Sequence, residues 1–469
     1  MMENPFFQVN VAHPAWLIYA SLLVLAVFFR FSRLLSVRNL DIGFILSLSM
    51  ALVLTSSWNG DNGLGRTVSS SSDGVQNQWS STALLSLSVL LIVRLVFDES
   101  LTRRPRLEQN LNLAGLTFLC VPAFAVLMTS VFMGETPGGN VDAVESGMAL
   151  LQRQAIGEND SEAKDEQPAP TETLIAAGAS AVAQLSERLD TAVSVDSEST
   201  PVEKTMACVL VVLAHTIIIA GFVYIGRTHF NSLQLGISMS CLYLLLPCTA
   251  FKVHELSHVL PAACLIWAVA CYRQPAVAGV LLGLACGTLF FAVFLLPLWA
   301  VFYGRRGSMK FGVSLGGVAA LALFAVAMTS SSADSFFSRL VHTTNWTVYR
   351  LFTDQLPVSS MGVGQIFLRI TLGAAFFVML SAMTIIPRRR NLENLLADST
   401  ALVVAAQLWY PEDVGTYVSW YLPLLLLVMF RPRLDRFRPP EPGDAQSASR
   451  VRPTTAVSGS SLSRVTLYH

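Results

Sequence analysis

Charged side chains are scarce in this chain. Of its 469 residues only 13% are Asp, Glu, Lys or Arg and 53% are hydrophobic, whereas a soluble domain carries about 25% charged residues. Water is therefore not the main solvent of its surface. Net charge is missing as well, because Lys plus Arg and Asp plus Glu each number 31. That balance excludes a basic nucleic-acid binder, and no nucleic-acid partner is expected. A Cys-x-x-Cys pair is also absent. The seven cysteines (Cys120, Cys208, Cys241, Cys248, Cys264, Cys271 and Cys286) all fall in apolar stretches, which argues against a disulfide framework or a cysteine zinc site and leaves them as small core residues. No internal repeat is found.

Long apolar runs are what the chain does have. Stretches near the length of a spanning helix occur at 15–35, 40–57, 82–97, 113–133, 205–226, 232–251, 311–329, 363–386 and 414–430, which predicts an all-α, polytopic helical membrane protein. The first lacks a basic n-region and a small-residue cleavage site, so it is expected to be retained. Three further stretches, 256–272, 275–303 and 395–410, are less regular. The middle one holds Gly283, Gly287 and Pro297, so it is either one long helix or two short ones folded back near Thr288.

Basic residues decide between these readings, because short cytoplasmic loops collect Lys and Arg. Arg388–Arg390, the tail arginines from Arg431 to Arg438, Arg103–Arg106 and Arg30–Arg38 mark the inside. Placing Arg273 inside together with Arg305, Arg306 and Lys310 requires an even number of crossings between them, hence a short-helix hairpin at 275–303. The expected topology has about 13 crossings, the N-terminus outside and the C-terminus inside, with 22 of 31 basic residues at the inner face.

Four regions follow. Residues 1–133 form N-terminal membrane helices with an outer loop at 58–81, and 205–430 form C-terminal membrane helices with an outer loop at 330–362. Between them, 134–204 carries 14 acidic residues and reads as an acidic, largely disordered extracytoplasmic insertion in which 172–192 could form a short amphipathic helix. Residues 431–469 read as a basic, disordered cytoplasmic tail. Asp98 to Arg106 reads as an ordinary inner loop, with lipid-headgroup binding as the alternative. Asp398 is expected to pair with Arg388–Arg390.

His254-Glu255-Leu256-Ser257-His258 matches H-E-x-x-H, which on a helix puts two imidazoles on one face for zinc with a glutamate as general base. It resembles the zinc motif of site-2-protease-like intramembrane metalloproteases, but no Asp-Gly follows it to supply a third ligand. Pro261 suits a helix first turn better than an interior, which would leave the motif in a loop. Starting the helix that late leaves about 21 Å of it, so both readings stand.

A broader resemblance runs over 243–307 and 414–432. Leu246-Pro247, a short polar loop, a helix ending at Arg273, then Ala278-Gly279, Leu282-Gly283-Leu284, and a second short helix with Leu296-Pro297 before Arg305-Arg306 are similar to bacterial multi-span glycosyltransferases of the GT-C fold. Trp420-Tyr421-Leu422-Pro423, a leucine run and Arg431-Pro432 resemble the end of that family. Where members often carry a cation at the outer turn of the hairpin, this chain has Gly287, Thr288, Leu289 and Phe290.

The resemblance implies sugar transfer from a polyprenyl-phosphate donor at the outer face of a bacterial inner (cytoplasmic) membrane, with membrane lipids and the lipid-linked sugar as partners and no cofactor. It points to Asp61, then Asp73, as catalytic base, to Arg369, Arg339, Arg350 and Lys252 as phosphate partners, and to His254 and His258 as substrate contacts. Each has a plainer reading. Asp61 also suits a turn, Arg339 and Arg350 suit interfacial anchors, and Arg369, inside a span, must snorkel, pair or line a cavity. Trp346, Tyr349, Trp409, Tyr410, Trp420 and Tyr421 are expected in an interfacial aromatic belt. The alternative functions are a zinc-dependent intramembrane protease, using His254 and His258 with Glu255 as base, and a transporter or other non-enzymatic membrane protein.

Overall fold

The computed structural model describes residues 14–31, 36–60, 72–100, 109–134, 136–152, 168–189, 202–330, 336, 363–386, 390–408, 417–432 and 437–439. Every regular element among them is helical. The helices are α1 (Pro14–Phe28), α2 (Val37–Gly60), α3 (Ser72–Val96), α4 (Leu113–Met133), α5 (Gly138–Gln152), α6 (Pro170–Leu189), α7 (Val202–Thr228) and α8 (Leu233–Leu245). There follow α9 (Pro247–Phe251), α10 (Leu256–Ala270), α11 (Pro275–Cys286), α12 (Leu296–Thr329), α13 (Val363–Ile385), α14 (Leu392–Ala406) and α15 (Val418–Phe430).

Composition makes these helices, and lipid accounts for their surfaces. Leu113–Met133, Val202–Thr228 and Phe291–Thr329 are long and apolar enough to cross a membrane. Phe118 of α4 is 78% exposed and Val313 of α12 72%, and Phe324 and Val378 also face outward. A surface so apolar needs a non-aqueous solvent, and the chain is a helical membrane protein. Its centre is α14 and α15, buried along nearly their whole length, with α8 and α10 beside them.

Several helices are broken where the backbone chemistry requires it. Pro247 has no N–H to continue α8, so the chain leaves the helix at Leu246 (φ −70°, ψ 130°) and restarts as α9. The 232–251 stretch is thus two helices. Gly304 interrupts α12 at φ 64°, ψ −179°, a conformation open to glycine but strained for other residues. The part of α12 after Gly304 packs on α11 with Gly279 against Phe311 and Ser314, and Gly283 against Val318. Both sequences ascend together, so the two helices are parallel. Consecutive parallel helices need a returning segment, which here is the 3-10 turn Phe290–Leu295 with the start of α12. Two short helices therefore fill 275–303.

Turns gather at two ends of the bundle. At one end the Asn110 amide donates to the carbonyls of Ala26 and Phe29 (2.8 and 3.0 Å). There too His229 Nε2 bonds the Ala270 carbonyl (2.9 Å) and Leu392 N–H donates to Phe437 O (2.9 Å). The same end holds a buried ion-pair network. Arg94 grips both carboxylate oxygens of Asp41 (2.6 and 2.7 Å) and one of Asp98 (2.5 Å). Arg431 takes the other oxygen of Asp98, the Glu393 main-chain carbonyl and, at 3.2 Å, the Glu393 carboxylate. Asp98, expected in an ordinary loop, is instead turned inward and joins α2, α3, α14 and the end of α15. Asp398 is buried on α14, while Arg390 is exposed and Arg388 and Arg389 lie outside the described residues.

Within 134–204, Pro170–Leu189 is a helix, close to the one expected at 172–192, and Gly138–Gln152 is a second that was not expected; the two pack on each other and on α7 and α12, burying Val144 and Ala176 completely. Their small residues permit this, since Gly147 lies directly against the backbone of Ala176 and Ala177. Trp420 and Tyr421 do not join the expected aromatic belt, because both are core residues (1% and 0% exposed). Trp346, Tyr349, Trp409 and Tyr410 lie outside the described residues.

Candidate functional site

At the opposite end of the bundle from Arg431, α9 turns into α10 through Lys252–Glu255. Two side chains from other helices fix this turn. Asn140 of α5 donates from Nδ2 to the His254 carbonyl (2.6 Å) and accepts the Leu256 N–H at Oδ1 (3.2 Å), so it caps the first turn of α10 from another helix. His215, fully buried on α7, sits between the Tyr243 hydroxyl at Nδ1 (2.9 Å) and the Val253 carbonyl at Nε2 (3.2 Å). A carbonyl only accepts, so Nε2 carries the proton and Nδ1 accepts from the phenol.

The polar side chains of the turn form a chain of their own. Lys252 Nζ lies 3.0 Å from each oxygen of Glu255, and His258 Nε2 lies 2.7 Å from Oε2. Trp420 of α15 donates its indole N–H to His258 Nδ1 (2.7 Å). An indole N–H only donates, so Nδ1 is the acceptor and Nε2 holds the proton given to Glu255. Burial alone would raise the Glu255 carboxyl, but His258 and Lys252 outweigh it and hold the group at about 2, leaving a carboxylate throughout the physiological range. Tyr417 and Phe291 stack on Trp420 with ring centroids 4.1 and 4.4 Å away. So packed and so buried, Trp420 presents no face to a sugar.

His254 is different. Its ring lies against Gly134, where any side chain would collide with it. Burial pushes its imidazole below the ordinary value, against the pull of the Glu255 carboxylate, which leaves a neutral ring that can both donate and accept.

The structure thus brings Lys252, His254 and His258 together. It corrects the role of His258, whose two ring nitrogens are spent on Trp420 and Glu255, so that it positions the turn and does not meet substrate. Asp61, Arg339 and Arg350 lie outside the described residues. Asp73 and Arg369 fall in the first turn of α3 and the second turn of α13, with their side chains outside the described part. Sequence reasoning missed His215, whose only signal is an imidazole inside an apolar run, and Asn140, which has no signal at all.

The zinc arrangement does not fit this geometry. H-E-x-x-H needs both imidazoles on one helix, but α10 begins only at Leu256, with Glu255 as its N-cap residue. His254 stands before the helix and His258 would have to break a bond to bind metal. Among the described residues no three His, Cys, Asp or Glu side chains converge as a metal site. Pro261, read as suiting a helix first turn better than an interior, lies buried within α10, five residues after its start at Leu256.

No protein-family model, curated protein or solved structure matches the chain.

Proposed function

We propose that this chain is a membrane glycosyltransferase that moves a sugar from a polyprenyl-phosphate donor to an acceptor at the outer face, in the manner of the GT-C enzymes it resembles. One observation carries the reading. Phe291 of the hairpin stacks on Trp420 of α15, and Trp420 bonds His258 of the 254–258 turn, so the separate segments that carry the sequence resemblance share one packed cluster.

The reaction would be an inverting displacement. Asp61, with Asp73 as second candidate, takes the proton of the acceptor hydroxyl while its oxygen bonds the anomeric carbon. The bond from that carbon to the phosphate oxygen breaks, and the polyprenyl phosphate departs. Arg369, Arg339 and Arg350 stabilise the departing charge. Lys252 contributes its third N–H, since two are directed at Glu255. His254, neutral and half-buried, contacts the substrate hydroxyls.

Donor binding tests this reading. The purified protein in liposomes is expected to bind polyprenyl phosphate saturably, and Arg369→Ala to weaken binding at least tenfold, as loss of a charge-assisted hydrogen bond in low dielectric requires. Equal affinity for polyprenol without phosphate would contradict it.

The same reading has 13 crossings, the N-terminus and 134–204 outside and the tail inside, in the inner membrane of a bacterium. Its support is that turns assigned to one side by their arginines touch one another, as Arg431 and Asp98 do, while Asn140 meets His254 at the other end. Cysteines introduced at Ser161 and Ser458 should label from opposite sides of sealed vesicles. Labelling from one side would make the number of crossings even and remove the hairpin from the topology.

A further inference from the structure

Beyond Gly304, one face of α12 is basic where it begins and apolar along the rest. Arg305, Arg306 and Lys310 are exposed there, and Met309 and Val313 beside them are 69% and 72% exposed. Arg305 and Met309, and Arg306 and Lys310, are four residues apart, and Val313 is seven beyond Arg306, so all five share one side of the helix. Gly312 and Gly316 keep that side flat, with nothing within 4 Å of where a Cβ would stand.

Arg390 joins the basic end from another segment. Where Gly304 turns the backbone at φ 64°, Arg390 Nη1 comes within 2.9 Å of the position of the Cβ that glycine lacks. Neighbouring charges are already committed. Arg431 holds Glu393, the carboxylate nearest to Arg390 along the chain, and Arg273 lies over the rings of Tyr272 and Phe437. By contrast, Arg305, Arg306, Lys310 and Arg390 form no ion pair with any other described residue.

Four such cations at the end of an apolar face set the chemistry of what covers it. The occupant carries an anion at headgroup level and hydrocarbon below it. From Arg306 to Gly316 the helix rises about 15 Å, half the depth of a hydrocarbon core of ~30 Å, so an acyl chain of one leaflet matches its length. A second copy of this chain fits less well. Copies share one orientation in a membrane, so a symmetric pair through this face would set Arg305, Arg306 and Lys310 against their own counterparts.

We propose that Arg305, Arg306, Lys310 and Arg390 bind the phosphate of an anionic phospholipid whose acyl chain lies along Met309, Val313 and Gly316, in the leaflet at the Arg431 end of the bundle. Arginine suits this headgroup because its planar fork meets two phosphate oxygens at once, while Lys310 adds a point charge. The lipid is a bound partner with no part in sugar transfer, so the site stands apart from the transferase reading.

The full chain in detergent micelles is titrated with phosphatidylglycerol and, separately, with phosphatidylcholine of the same acyl chains, and native mass spectrometry reads the fraction carrying lipid. Phosphatidylglycerol should be retained saturably, and the zwitterionic lipid roughly tenfold more weakly or less. One basic residue near an anionic headgroup is worth about fivefold in affinity, so Arg306→Gln combined with Lys310→Gln should weaken phosphatidylglycerol binding about 25-fold. Arg227→Gln, at an exposed cation on α7, should leave it unchanged. In phosphatidylcholine nanodiscs both variants should unfold at the wild-type temperature, as exposed substitutions do, which separates lost binding from misfolding. A lower unfolding temperature for the double variant would make these cations part of the fold and overturn the site. Equal affinity for the two lipids overturns it too, as does an equal loss with Arg227→Gln, because the attraction would then belong to the whole basic end. Complete disulfide cross-linking between copies carrying Val313→Cys in proteoliposomes would show a second copy on this face and also overturn it.

Discussion

Arg431→Met is expected to destabilise the protein by about 3–5 kcal/mol, the cost of leaving a buried carboxylate without its partner. The Arg431 side chain is 0% exposed and that of Asp98 2%. When Arg431 is lost, Asp98 keeps Arg94 from this network, and Arg94 is already committed to both oxygens of Asp41. Glu393 loses a guanidinium at both its carboxylate and its carbonyl. The damage should be specific, so Arg431→Met combined with Asp98→Asn should recover part of the loss, a coupling that a double-mutant cycle measures. Arg438→Met, at an exposed position, should change little. Equal unfolding temperatures for Arg431→Met and the wild type in detergent would show that the network does not hold α3, α14 and α15 together.

Asp61→Asn is expected to have the largest effect on activity, a fall in transfer of about 10²–10⁴-fold, the usual contribution of a general base. Donor affinity should be unchanged. The amide keeps the size and polarity of the carboxylate but cannot accept the acceptor's proton, so the loss belongs in kcat and not in binding. Asp73→Asn serves as the comparison, because a single displacement needs one general base. If Asp61→Asn weakens donor binding in proportion to its loss of rate, Asp61 shapes the site and is not the base.

The helices were legible because bilayer thickness fixes the length of an apolar run, and α4 and α7 stand where those runs stand. The break of 275–303 into a short helix, a 3-10 turn and the start of α12 was legible from the charge pattern, which asked for a return of the chain between Arg273 and Arg305. Pro247 marked a break that the 232–251 run concealed. What the sequence hid depends on contacts distant along the chain. Whether His258 is a ligand or a spacer is decided by Trp420, 162 residues away, and the start of α10 is capped by Asn140, 116 residues from Leu256. The Gly138–Gln152 helix was hidden for another reason: it packs through Gly, Ala and Ser at close range, which gives little of the bulky apolar periodicity by which a buried helix is read, whereas the Pro170–Leu189 helix was legible near 172–192.

The most direct measurement of the central claim is sugar transfer by the purified chain in proteoliposomes. Polyprenyl phosphates charged with radiolabelled sugars would be offered with a range of hydroxyl-bearing acceptors, and product followed over time. The account predicts label passing from lipid to acceptor with inversion at the anomeric carbon, release of polyprenyl phosphate, and loss of both with Asp61→Asn. Donor that is bound and carried across the bilayer with its sugar still attached, at a rate indifferent to Asp61→Asn, would contradict it and make the chain a lipid transporter.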